Sequence, residues 1–244
     1  MTASSYDTIG VNYAALRKPD GRIGARIAAA LGPARTVLNV GAGAGSYEPD
    51  DREVVALEPS MEMIRQRPPS AAAAVRGPAE QLPFGDGAFD ASMAVLTVHH
   101  WADQAKGLTE LRRVTRGRIV IVTYDPAFRG FWLADYIPEL VALDEAQMPP
   151  MSAYEAWLGP VEVSAVPIPH DCRDGFLSAY WRRPAAYLDP RIRAAMSSFW
   201  AIGDVTEALG RLERDLDSDA WAERYGDLLD LDECDCGYRM VVAR

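Results

Sequence analysis

Short apolar runs alternate with segments of helical period along the first half of the chain. A helical stretch from about Ile23 to Leu31 leads into "TVLNV" (36–40), which reads as a buried strand, and "EVVALE" (53–58) reads as a second. "SMEMIRQR" follows as a short helix with Ser60 as its N-cap, stopped by Pro68 and Pro69. "AAAVRG" reads as a weak third strand closed by Gly77-Pro78, its alanines leaving helix as the alternative. "FDASMAVLTV" is a fourth strand, "AKGLTELRRVT" a helix and "GRIVIVTY" a fifth strand. Strands that are continuous apolar runs and alternate with helices imply a parallel sheet covered on both faces. "VEVSAVPIP" makes a sixth strand and "YRMVVAR" a seventh, with some sixty residues between them that read as helices. Within that insertion Val205, Leu209, Leu212 and Leu216 fall at helical spacing, and Asp204 with Glu207 resembles a capping box.

The chemistry concentrates after the first strand. Gly41, Gly43 and Gly45 directly follow "TVLNV", the setting in which glycines let a nucleotide approach bare backbone. The pattern is not G-x-G-x-x-G, because the third glycine comes one position early and Ser46 stands where Gly or Ala is needed. Glu58 ends the second strand 17 residues after Gly41, where a carboxylate can accept both hydroxyls of a ribose. The plain alternative is a tight turn with a solvated Glu. Only Gly41 to Arg52 separates the two strands, close to the minimum of ~10–12 residues for a parallel crossover. Pro49 and Asp50-Asp51 discourage a regular helix there, so a turn or two at most is expected.

Charge narrows the partners. With 25 basic against 35 acidic residues the net charge is −10, which argues against a nucleic-acid backbone or an anionic membrane surface. No run of 18 or more apolar residues occurs, and the first twenty residues lack a stretch suited to a signal peptide. Three cysteines imply no disulfide framework, so a cytoplasmic address is expected. Cys234 and Cys236 form a C-x-C with Cys172 and His170 as distant co-ligands, which lacks the paired spacing of a zinc site, and no metal is expected. At 244 residues the chain has room for one large α/β domain or two small ones.

"VLNVGAGAG", "ALEPSMEMI", "AEQLPFGDGAFDASMAVLTVHHW" and "ELRRVTRGRIVIVTYDP" stand in order from about Thr36 to Pro126. Together they resemble the class I S-adenosylmethionine (SAM)-dependent methyltransferases, in particular their small-molecule branch. The resemblance implies a Rossmann-like, seven-stranded, mostly parallel sheet with an antiparallel last strand. Combined with the reading above, it gives one α/β domain: an N-terminal cap (1–32), a cofactor-binding core (36–126), substrate-lid segments (127–158 and 172–232) and the last strand (236–244). It further implies that Gly41, Ala42 and Gly43 face the methionine and ribose parts of SAM and that Glu58 binds the ribose hydroxyls. Pro59 and Met61 would lie beside the adenine, Ala79 and Glu80 would read its edge, and Thr97 and Val98 would line the sulfonium side. Tyr6, Tyr13 and Arg17 resemble the segment that closes over SAM, with Arg17 pairing the methionine carboxylate. SAM carries no phosphate and so does not need the helix N-terminus that a pyrophosphate uses, which suits the short first crossover. Asn39 departs from the family, which has an acidic residue there; its amide still hydrogen-bonds.

Methyl transfer needs an aligned nucleophile and, for a hydroxyl, a proton acceptor. His99 and His100 follow the fourth strand, and His99 is the first candidate base. Asp125, after the fifth strand, is a second candidate or an orienter of His99, and as Asp-Pro equally a turn initiator. His170 is a candidate substrate contact. Phe128, Phe131, Trp132 and Tyr136, with Phe176, Tyr180, Trp181, Tyr187, Phe199 and Trp200, suggest an apolar pocket for an organic acceptor. The expected activity is methyl transfer to a small, largely apolar or aromatic acceptor, foremost a hydroxyl. "TVHHW" lacks the Asn-Pro-Pro-aromatic motif of many amino-methylating enzymes. Two other readings stand beside it: a protein of the same fold that binds SAM or its product without transferring methyl, and a nicotinamide-dependent oxidoreductase. A monomer and a homodimer fit equally.

Overall fold

The structure is a computed structural model that describes residues 17–244. Tyr6 and Tyr13 lie outside the described residues. Helix α1 (Gly21–Leu31) leads into β1 (Thr36–Val40). Then follow β2 (Glu53–Glu58), α2 (Met61–Arg65), β3 (Ala74–Arg76), β4 (Ala91–Val95), α3 (Gln104–Val114) and β5 (Ile119–Tyr124). A first helical segment contains α4 (Leu133–Tyr136), α5 (Glu139–Gln147) and α6 (Met151–Leu158) and ends at β6 (Val161–Ala165). After β7 (Ile168–Pro169), a second contains α7 (Pro190–Arg193), α8 (Ser197–Ala201), α9 (Thr206–Asp217) and α10 (Ala220–Tyr225), followed by β8 (Glu233–Cys234) and β9 (Tyr238–Ala243).

Seven strands form one sheet in the order β3-β2-β1-β4-β5-β9-β6. β9 runs antiparallel to both neighbours, with Ile119 opposite Ala243 and Tyr124 opposite Tyr238. β1, β4 and β5 are buried on both faces, as their unbroken apolar sequences require. On one face α1 presents Ile23, Ile27 and Leu31, four residues apart, to Val37, Met93 and Val120. Asp20 caps this helix by accepting from Arg22 N. On the other face α3 presents Leu108, Leu111 and Val114 to Leu38, Ile119 and Ile121. Each such buried leucine or isoleucine contributes about 1.5–3 kcal/mol.

The structure revises three element expectations and agrees with a fourth. The fourth strand ends at Val95, because Leu96 turns the chain at φ +53°; Thr97 and Val98 therefore lie on the turn after it. The expected sixth strand is split around Pro167, which cannot donate to a ladder: β6 joins the main sheet and β7 pairs with β8 in a separate two-stranded ribbon. Asp204 does not form a capping box, since its carboxylate accepts from Thr206 N and Oγ1. The first crossover, expected to hold a turn or two of helix at most, holds none. Gly41, Gly43, Gly45 and Tyr47 all have positive φ, which no right-handed helix tolerates.

The two helical segments pack on each other through Trp132. Its ring meets Tyr136, Tyr187 and Trp221 edge to face, and its Nε1 donates to Trp181 O. Trp181 Nε1 donates in turn to Ile168 O. No helix among the described residues is long and apolar enough to cross a membrane.

Candidate active site

The chain leaves β1 for β2 on one side and reaches β4 on the other, so β1 and β4 flank a crevice at their carboxyl ends, where open α/β sheets bind ligands. The glycine loop fills one wall. Gly41 N and Ala42 N both donate to Leu57 O, at 2.8 and 3.1 Å. Gly41 has φ +69°, and a Cβ there would sit 2.0 Å from Thr97 Oγ1, so glycine is required twice over. Gly43 N donates to Glu58 Oε2 and Ser60 N to Glu58 Oε1, each at 2.8 Å. The buried Glu58 carboxylate thus ties the loop to the end of β2. Ser60 caps α2, as its sequence position predicts, by accepting from Met63 N. Met63 is the buried methionine under Gly43, whereas Met61 is half-buried and Pro59 exposed. Ala79 and Val98 are buried, and Glu80 accepts from Asp103 N at the start of α3.

Behind the loop lies a charge pair that sequence reading missed. Asn39 Nδ2 donates to Glu48 Oε1 at 3.2 Å, and Arg67 Nη2 meets the same oxygen at 2.7 Å. Arg67 also donates to Gly43 O and Ala72 O, while Ala72 N donates to Glu48 Oε2. The side chains of Arg67 and Glu48 are only 6% and 8% exposed. An acidic group is therefore present beside Asn39, delivered from the crossover instead of the strand, and it braces a loop that has no helix behind it.

The other wall is the turn after β4. Leu96, in its left-handed conformation, and the 3₁₀ turn Val98–His100 place His99 and His100 on a cavity, their ring centroids 3.8 Å apart. Strained backbone of this kind concentrates at functional sites. His99 Nδ1 is buried without a hydrogen-bond partner. Removal from water, with His100 and Arg17 adding to it, holds the His99 pKa well below the ordinary imidazole value. His100 is lowered to about 4 by the surrounding protein and by Arg17. Both rings are neutral at pH 7.

Arg17 lines the same cavity and is fixed by Asp174, Nε to Oδ1 at 2.5 Å. Asp174, fully buried, also accepts from Tyr47 Oη at 2.8 Å. It thereby joins the N-terminal segment, the first crossover and the second helical segment. Tyr124 from β5, Tyr238 from β9, Asp144 from α5, and Ser197 and Ser198 at the start of α8 complete the polar lining. Asp125 lies outside the lining: its Oδ1 accepts from Ala127 N in a turn, and Arg239 approaches Oδ2 at 3.7 Å. His170, whose backbone N donates to Asp232 O, also lies outside it. Asp144, in the acidic run "LDEAQ", gave no sequence signal. Among the described residues no group of three or more His, Cys, Asp or Glu could hold a metal ion, and the three cysteines are free thiols.

Comparison with known proteins bears on this geometry. A family model described as a methyltransferase domain matches residues 38–121. A solved structure from Anabaena variabilis, described as a methyltransferase of an antibiotic biosynthesis pathway, is 32% identical, with TM-score 0.85, over 94% of this chain and 99% of that one. The chain belongs to the class I SAM-dependent methyltransferases. The demethylmenaquinone methyltransferase of Beutenbergia cavernae is 34% identical over 125 residues, 44% of this chain and 51% of that protein. This methyltransferase thus aligns with about half the length of that curated relative. Geranyl diphosphate C-methyltransferase from Streptomyces coelicolor shares the fold, at 15% identity and TM-score 0.51 over 91% of this chain and 78% of its own.

The residues present fit the family's cofactor. The Gly41 cradle leaves no space for a side chain, and Glu58 places a carboxylate beside it. That donor and acceptor set suits a ribose diol and a close backbone approach.

Proposed function

We propose that this chain binds SAM on the Gly41–Gly43 loop and Glu58 and methylates a hydroxyl of a small organic acceptor held in the cavity of His99 and Tyr124. The observation that carries this reading is the turn 96–100. Its Thr97 touches Gly41, and its Leu96, His99 and His100 line the cavity, so cofactor loop and acceptor space share one wall. SAM, when bound, supplies an electrophilic methyl group on a positively charged sulfur. The chain's own task is to align the acceptor and take up its proton. Glu58 would accept the ribose hydroxyls, Met63 and Pro59 would flank the adenine side, and Arg17, already neutralised by Asp174, would close the mouth. His99, neutral and with its Nδ1 unpartnered, would offer that ring nitrogen as a hydrogen-bond acceptor to the incoming group, and the neutral His100 ring would pack beside it. Leu96, Met148, Phe176 and Met196 give the cavity an apolar body consistent with an aromatic or hydrocarbon acceptor. The net charge of −10 disfavours nucleic acid as the acceptor.

The test is transfer of labelled methyl from SAM across matched panels of hydroxyl, amine and carbon acceptors. Transfer to hydroxyl compounds is expected to exceed the other classes. Tight SAM binding with no transfer to any class would instead favour a binding protein of the same fold.

A further inference from the structure

The cavity contains one carboxylate that the fold does not use. Asp144, on the second turn of α5, lines it together with His99, Tyr124 and Tyr238. Its carboxylate makes no hydrogen bond or ion pair among the described residues. The cation nearest to it electrostatically, Arg129, is held by the next acid along the helix, Glu145. A structural carboxylate is ordinarily paired or capping, as Asp20, Asp174 and Glu48 are here.

We infer that Asp144 is the group that receives the acceptor's proton, and that the acceptor presents an acidic hydroxyl of the phenol or enol kind. The inference rests on the methyl transfer to oxygen proposed above.

The groups facing Asp144 decide the assignment. Arg17 and the two histidines approach from the N-terminal segment and the 96–100 turn, Tyr124 from β5, Tyr238 from β9, and Arg129 from the loop after β5. Arg17 is occupied by Asp174 and Arg129 by Glu145. Withdrawal from water raises the Asp144 pKa to about 7, with Arg129 opposing, while both histidines are pulled far below it. Near neutral pH the carboxylate is therefore a stronger proton acceptor than either imidazole. As the acceptor oxygen bonds to the methyl carbon, the carbon–sulfur pair returns to sulfur and the hydroxyl proton passes to Asp144. Charge balances: the sulfonium loses its charge as the carboxylate loses its own. A phenolic proton, with a pKa of roughly 10, lies about three units above such a base, a gap that concerted transfer bridges. An aliphatic alcohol is a far weaker acid and is a poor match. The cavity walls agree with a flat acceptor: Tyr124 and Tyr238 stand edge to face at 5.4 Å, and Phe176 lies 4.9 Å from Tyr238.

The experiment uses the full chain and Asp144→Asn, which keeps the side chain's shape and removes the basic oxygen. With SAM and simple phenols, kcat is expected to fall ~10²–10³-fold while affinity for S-adenosylhomocysteine stays within about twofold. The limb near pH 7 in kcat/KM should vanish, and Asp144→Glu should restore part of the rate. Infrared titration of the cofactor-free protein should show a carboxyl that titrates near pH 7 in the parent and is missing from Asp144→Asn. Because its folded pKa is raised, Asp144 contributes stability fully only below about pH 4, and that stability is lost as pH rises through 7. Asp144→Asn should thus melt above the parent at pH 8. An Asp144→Asn protein with parental rate and pH profile would overturn the assignment. So would a parent that methylates amines or carbon but no phenol. A chain that binds SAM yet methylates nothing defeats the functional reading itself, and the infrared titration distinguishes that case.

Discussion

Gly41→Ala is expected to abolish measurable cofactor binding and to destabilise the protein by roughly 2–5 kcal/mol. The left-handed conformation at φ +69° costs an alanine about 1–2 kcal/mol. The new methyl would meet Thr97 Oγ1 at 2.0 Å and its Cβ and Cγ2 at 2.8 Å, an overpacking worth about 1–3 kcal/mol more. Relief must come from moving Thr97, which displaces the turn carrying His99, or from moving the loop, which breaks the hydrogen bonds of Gly41 and Ala42 to Leu57 O. Gly43→Ala is the control for the stability effect. It shares a positive φ, but the nearest atom to its added methyl is the flexible Met63 Cε at 3.5 Å, so only the conformational cost of about 1–2 kcal/mol applies. Urea unfolding and calorimetry with S-adenosylhomocysteine measure both effects. A Gly41→Ala protein that unfolds like Gly43→Ala would refute the steric account.

The second large effect concerns Glu48. Glu48→Ala strands the Arg67 guanidinium, 6% exposed, with only carbonyl partners, and breaking a buried pair from one side costs about 3–5 kcal/mol. Replacing both members, as Glu48→Leu with Arg67→Met, removes the stranded charge and should recover most of that loss. The double variant should still bind SAM more weakly than the parent, because Arg67 no longer holds Gly43 O. A Glu48→Ala loss below about 1 kcal/mol, the value of a surface pair, would show that the pair does not brace the loop.

What the sequence revealed and what it hid follow from the range of the interactions. The strands around the glycine loop, the Ser60 cap and the position of Glu58 depend on neighbours a few residues away, and each is legible in the pattern. The missing crossover helix was legible too, from Pro49 and the short spacing, although its complete absence depends on a run of positive φ. Pro167 marks the break in the sixth strand, but it lies inside an apolar run whose pattern reads as one continuous strand. Glu48 in "SYEPDD" and Asp144 in "LDEAQ" look like solvated acids, since nothing local distinguishes a charge that tertiary packing will bury. Arg17 meets Asp174 across 157 residues, a pairing no spacing rule reaches. Asn39, the departure from the family pattern, is explained only when Glu48 is seen beside it.

The central claim is that the Gly41–Gly43 loop and Glu58 form a SAM site. Calorimetric titration of the full chain with S-adenosylhomocysteine, beside Glu58→Gln, tests it most directly. The substitution keeps a hydrogen-bonding group of the same size and removes the charge; hydrogen bonds to a charged acceptor are worth about 1.5–3 kcal/mol. The account predicts micromolar or tighter binding to the parent and a loss of ~10–100-fold in Glu58→Gln. No binding to the parent, or equal binding by both proteins, would contradict it.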